Sequence, residues 1–255
     1  ITDKLTSKGC NTIRDANAIK GMKELGGYSN IIQNCINIVL EKLSDNPRIV
    51  NIHNELELKI NAQKAKLREQ TQLLLNHVYL YPSFQKQSNN QTGKQRYPLS
   101  LGTHREVRLV AESLKWIGIA DLIILTNDLC EIIDYKTSDQ SDSHKSQLIT
   151  YALLWMIDKE LNPSKRLANK LTIAYPNGTI DVPPPSNNEL KKIEIDLINR
   201  SKSSTSTLKE IPPRANPHKD ICQYCSVKQL CETYWMPLTQ KSFSTGNNDS
   251  PFIDL

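Results

Sequence analysis

Apolar positions follow two different periods along the chain. Over residues 11–76 they recur at helical spacing, through Ile31, Ile32, Cys35, Val39 and Leu40 and again through Leu56, Ile60, Leu67 and Leu74. This is the three-to-four-residue recurrence of helices that bury one face. Gly26-Gly27 and Asn46-Pro47 punctuate the region. Past residue 104 the period shortens. Runs rich in Ile, Leu and Val predict strands near 105–112, 116–125 and 129–136, the last two joined as a hairpin by Thr126-Asn127-Asp128. A helix is expected at about 143–158. Leu171–Tyr175 and Thr179–Val182 form a second hairpin, ended by Pro183-Pro184-Pro185, and residues 187–201 read as an amphipathic helix. The Gln-, Asn- and Ser-rich stretch 83–104 predicts a mobile loop, and the polar tail 237–255 predicts disorder. The expected organisation is an N-terminal helical region (1–82), the loop (83–104), a core domain of mixed α/β order (105–236) and the tail.

Composition narrows this picture only a little. With 255 residues and 38% apolar content, the chain fits one large domain or one domain with a helical extension. The formal charge of +5 permits a polyanionic partner without requiring one. No acidic residue lies between Glu69 and Glu106, whereas Lys86, Lys94, Arg96 and Arg105 do, so this stretch is either a solvated loop or part of a polyanion-binding face. No apolar run approaches the roughly 20 residues that span a bilayer, and the expected location is cytoplasmic. The chain opens with Ile rather than Met, which predicts a piece of a longer protein.

Three charged residues change the reading from fold to chemistry. Asp121 and Asp134 each stand in an apolar strand run, where an unpaired carboxylate is costly. Lys136 lies two positions past Asp134 and so shares its face of the strand. Glu106 opens the first predicted strand, and adjacent strands can bring it level with Asp121 and Asp134. Glu112 is the alternative. Three carboxylates with the Tyr135 carbonyl would satisfy one or two Mg²⁺ ions. Lys136 would sit beside the activated water or a phosphoryl oxygen. Gln147 and Tyr151, four apart on the following helix, share a face and can bind a substrate or a carboxylate. The competing reading makes Asp121 and Asp134 turn caps and Lys136 a surface residue.

A second constellation is Cys222-x2-Cys225-x5-Cys231, a metal-binding spacing. Three thiolates need a fourth ligand. His218 would complete a Cys3His zinc knuckle, and a distant cysteine would complete a [4Fe–4S] cluster. Cys10 follows Gly9 in a polar stretch read as a helix start. Cys35 lies on an apolar helical stripe and reads as a core cysteine, as does Cys130 in its strand.

Gly118-x-x-Asp121, Asp134-Tyr-Lys-Thr-Ser138 and Gln147-x-x-x-Tyr151, in this order, resemble the PD-(D/E)XK nuclease superfamily, and most closely its RecB-like branch. The resemblance covers about residues 105–155. It implies a restriction-endonuclease-like core, with a central mixed sheet flanked by helices. It also implies Mg²⁺ or Mn²⁺ held by Glu106, Asp121, Asp134 and Tyr135, with catalysis by Glu106, Asp121, Asp134 and Lys136 and DNA contacts from Gln147 and Tyr151. Many members of that branch carry an additional metal-binding histidine on an early helix. His53 is the position here, although it lacks the preceding glycine and reads as an ordinary helical histidine. The AddB-type and some CRISPR-associated exonucleases of the branch add a structural [4Fe–4S] cluster. The resemblance implies as its ligands one cysteine ahead of the core with Cys222, Cys225 and Cys231; Cys10 and Cys35 compete for the first position, and Cys10 is chosen, without the Cys-Pro-Arg often found there.

The expected function is therefore a metal-dependent DNA nuclease, an exonuclease on single-stranded ends. The alternatives are a non-catalytic nucleic-acid-binding module with a zinc knuckle, or a nuclease domain active only with a helicase or another repair or CRISPR partner.

Overall fold

The computed structural model describes residues 1–46, 49–82, 96–211 and 215–241. The greater part of the expected loop, with Lys86 and Lys94, and the tail from residue 242 lie outside the described residues. The chain divides into a unit of residues 1–197 and a unit of residues 198–255.

The first unit is built on a five-stranded sheet in the order β1 (Gly102–Ala111), β2 (Trp116–Leu125), β3 (Cys130–Tyr135), β4 (Lys170–Tyr175) and β5 (Gly178–Val182). β1, β2 and β3 form an antiparallel meander and β4 pairs with β5 as a hairpin, while β3 and β4 run parallel. A parallel pair needs a crossover. Helix α6 (Asp142–Ile157) supplies it, started by the Ser141 side chain, which accepts from the Ser143 N–H, and packed across β1 to β4. A mixed sheet with flanking helices is the α/β core expected from the strand and helix order.

Ile123, Ile124, Ile132 and Ile133 are all buried, because the central strands are covered on both faces. One face meets α6. On the other, Leu122, Ile124, Ile133 and Ala174 pack against Leu5, Cys10, Ala18, Val78 and Leu80 from the N-terminal region.

That region contains α1 (Thr2–Ser7), α2 (Ala16–Glu24), α3 (Gly27–Ser44), α4 (His53–Ala62) and α5 (Lys64–Asn76). Gly26, at φ 77°, separates α2 from α3 where the glycine pair predicts a break. The buried stripe of α3 is Ile32, Ile36 and Leu40, packed on Leu56 and Ile60. It is displaced by one position from the expected stripe, and Cys35 is exposed.

Cys10 is the reverse case. Gly9 (φ 71°) ends α1 rather than starting a helix. The Gly9 N–H donates to the Thr6 carbonyl and the Cys10 N–H to the Leu5 carbonyl. This is the Schellman pattern, in which the residue after the glycine packs back on the helix. Cys10 accordingly lies 1% exposed in the same cluster as Leu5.

Helix α7 (Asn187–Thr207) crosses the boundary between the units. The second unit also holds α8 (Lys219–Cys222) and α9 (Glu232–Lys241), the latter running into the first residues of the expected tail. Among the described residues no helix is long and apolar enough to cross a membrane.

Candidate active site

The register of the sheet places three carboxylates in one row. Arg105 pairs with Leu122 and Val107 with Ala120, so Glu106 and Asp121 both lie between these pairs, where the ladder is interrupted. The β2–β3 pairing ends at Leu122 with Ile133, so Asp121 and Asp134 lie one step beyond it. The row is also where the strands depart from regular geometry. Glu106 has φ 48°, a left-handed conformation that costs a non-glycine residue about 1–3 kcal/mol. Gly118 faces Tyr151 and Leu154 of α6, whereas Leu122, at the same strand parity, packs with the N-terminal cluster. The facing of β2 thus changes around Asp121. The Asp121 carboxylate then takes the place of a ladder carbonyl, its Oδ2 accepting the Tyr135 N–H at 2.6 Å.

Asp134 is 2% exposed. Its Oδ2 lies 2.7 Å from the Lys136 Nζ as an ion pair, yet no donor is aligned on it as a hydrogen bond. Lys136 Nζ donates to Gln147 Oε1 at 2.8 Å, and Gln147 Nε2 donates to the Tyr151 hydroxyl at 2.6 Å. A chain of contacts therefore runs from Asp134 through Lys136 and Gln147 to Tyr151, and it couples β3 to α6. Gly118 makes room for its far end. A Cβ there would stand 2.8 Å from Leu154 Cδ1 and 2.9 Å from Tyr151 Cε1.

Burial is the main reason the Asp121 carboxyl is pushed up to about 6, with Asp134 and Glu106 adding to it. The Tyr135 N–H and Lys136 act in the opposite direction. Burial also raises the Tyr151 phenol, which stays protonated at neutral pH.

Among the described residues, no three His, Cys, Asp or Glu side chains are grouped as a metal site. Glu106 is exposed and acts on Asp121 through its charge. What is assembled is a narrower donor set of Asp121, Asp134, whose buried Oδ2 has an ion pair but no aligned hydrogen bond, and the neighbouring Tyr135 backbone. Oxygen donors of like charge in a partly dry setting fit a hard divalent cation, which would offset the repulsion that raises Asp121.

The other predicted residues lie elsewhere. The His53 ring stands 3.4 Å from the Leu40 carbonyl. Glu112 begins a single 3-10 turn after β1. Cys130 is buried in β3. Arg96 pairs with Asp158 and Glu160 and donates to the Arg108 carbonyl, and Arg105 pairs with Asp3. Both cations thus have structural partners. In the second unit Cys222 Sγ accepts the His218 N–H at 3.2 Å, and Cys222, Cys225 and Cys231 do not form a ligand group. The sequence reading missed His144, whose Nδ1 lies 2.8 Å from the Tyr175 hydroxyl. Its signal was the spacing 144, 147, 151, one face of α6.

No curated protein matches the chain. A solved structure titled "Crystal structure of SSO0001" is 19% identical, with a TM-score of 0.33, over 79% of this chain and 96% of that one. Residues 33–232 match the PD-(D/E)XK nuclease superfamily. That span takes in the carboxylate row, Lys136 and all of the sheet, and the chain belongs to the PD-(D/E)XK nuclease superfamily.

Proposed function

We propose that the chain is a metal-dependent deoxyribonuclease acting on single-stranded DNA with a free end. The observation that carries this reading is the placement of Lys136 2.7 Å from Asp134 and 2.8 Å from Gln147, beside the row that contains Asp121. A bound Mg²⁺ or Mn²⁺ supplies a Lewis acid that makes water nucleophilic at neutral pH and stabilises charge on the phosphodiester. Asp121, Asp134 and the Tyr135 carbonyl would hold the cation, and Glu106 would add a further carboxylate. Lys136 is the proton-bearing group held against Asp134, and it would offset the negative charge that builds on the phosphate oxygens. Gln147 fixes the Lys136 ammonium, and Tyr151 fixes Gln147. Contacts of this kind address the phosphate backbone, so digestion is expected to show little sequence preference.

We propose further that Cys222, Cys225 and Cys231 contribute thiolates to a structural [4Fe–4S] cluster. Their Cys-x2-Cys-x5-Cys spacing supports this, and no catalytic step depends on it. The substrate reading is tested with end-labelled linear single-stranded DNA, its circular counterpart, duplex DNA and RNA, each with Mn²⁺. An exonuclease on single-stranded DNA degrades the linear strand and spares the circle. Cleavage of the circle would make the protein an endonuclease, and preference for RNA would overturn the DNA assignment.

A further inference from the structure

We infer that His144 is a phosphate-binding residue of the substrate cleft, and that Tyr175 orients it. This assignment rests on the nuclease reading above and adds a contact to it. His144, Gln147 and Tyr151 fall on one face of α6. Gln147 is already committed to Lys136, so His144 lies one helical turn from the reacting centre, at the end of α6 where the chain enters from β3. The sheet agrees with this placement. The Lys136 N–H donates to the Ala174 carbonyl on β4, and Tyr175, which holds His144, is the next residue. His144 therefore stands beyond the carboxyl ends of the two parallel strands, where ligands of open α/β sheets bind.

The protonation pattern follows from burial. Tyr175 is 2% exposed, and a buried phenol needs an acceptor for its hydrogen. His144 Nδ1, at 2.8 Å, is that acceptor. With Nδ1 accepting, neutral imidazole carries its proton on Nε2. Nε2 has no hydrogen-bond partner among the described residues, and His144 is half-buried. A ring anchored at one nitrogen, with a donor at the other beside a phosphodiester site, suits the phosphate next to the one being cleaved. Such a contact is made equally before and during reaction, so it contributes to binding rather than to the chemical step.

The test measures steady-state cleavage of single-stranded DNA with Mn²⁺, and binding of a fluorescent oligonucleotide by anisotropy with Ca²⁺ in place of Mn²⁺. His144→Ala is expected to raise KM and Kd by about tenfold while kcat stays within about twofold. His144→Gln, which keeps a side-chain N–H donor, should recover most of the loss. Tyr175→Phe should weaken binding by a smaller factor, about threefold, with kcat again preserved. A purely structural role would instead lower kcat and KM-independent stability together and would not be rescued by Gln. Unchanged KM and Kd in His144→Ala, with an active wild type, overturn this inference alone. A wild type that neither binds nor cleaves overturns the nuclease reading as well.

Discussion

Asp121 is placed by its neighbours at the edge of ionisation. Burial comes first among the causes, and Asp134 and Glu106 add to it. Its carboxyl is pushed up to about 6 in the metal-free protein, so cation affinity should weaken as pH drops through about 6, because proton and cation compete for Asp121. The stability effect of the metal-free protein has the opposite sign. The folded state binds the Asp121 proton more tightly than the unfolded state does. This residue therefore favours folding below the usual carboxylate range, and that contribution is lost as pH rises through about 6. Asp121→Asn keeps an acceptor for the Tyr135 N–H and removes the charge. At neutral pH it should stabilise the metal-free protein by about 1 kcal/mol, after allowance for the residue's partial exposure. Urea unfolding measures this, and an unchanged or lowered midpoint would contradict it. Mn²⁺ should raise the melting temperature of the wild type and leave Asp121→Asn unmoved. Gly118 is the other critical residue of β2. Gly118→Ala puts a methyl against Tyr151 and Leu154 and should cost about 1–3 kcal/mol by the same unfolding measurement.

At the scale of elements, the sheet was legible because its strands are apolar and its turns carry their own signals. The expected strands near 116–125 and 129–136 appear as Trp116–Leu125 and Cys130–Tyr135. The second hairpin and α6 are equally close. The helical region was legible in kind but not in detail. Where helices pack on helices at both ends of a stripe, a one-position rotation is not fixed by the pattern, and α3 buries Ile32, Ile36 and Leu40. Cys10 and Cys35 exchanged environments for related reasons. The polar stretch around Gly9 predicts a helix start, whereas Gly9 is the left-handed residue that ends α1 and folds Cys10 back under it. The spacing of Asp121, Asp134 and Lys136 announced the carboxylates and lysine. The positive φ of Glu106 and the partner of His144 belong to tertiary geometry, and nothing in the local sequence encodes them. The coupling of β3 to α6 makes a prediction of its own. Gln147→Ala leaves Lys136 with its Asp134 contact but without its acceptor on the helix, and kcat should fall by about 10- to 100-fold. A KM effect with unchanged kcat would mean that Gln147 serves binding instead.

At the scale of the molecule, the family match spans residues of both units, from 33 to 232, so Cys222, Cys225 and Cys231 lie within it and Cys10 lies outside. Protein purified without oxygen should be brown and contain iron and acid-labile sulfide, and Cys225→Ser should remove both. Colourless protein with stoichiometric zinc would replace the cluster with a knuckle. Neither result touches the central claim, which concerns the row of Asp121 and Asp134 with Lys136. The direct test of that claim is the degradation of end-labelled single-stranded DNA with Mn²⁺, comparing the wild type with Lys136→Ala. Hydrolysis that requires the cation and falls by at least about 1,000-fold in the variant is the predicted result. Hydrolysis at an equal rate by Lys136→Ala, or none by folded, DNA-binding wild type, would contradict it.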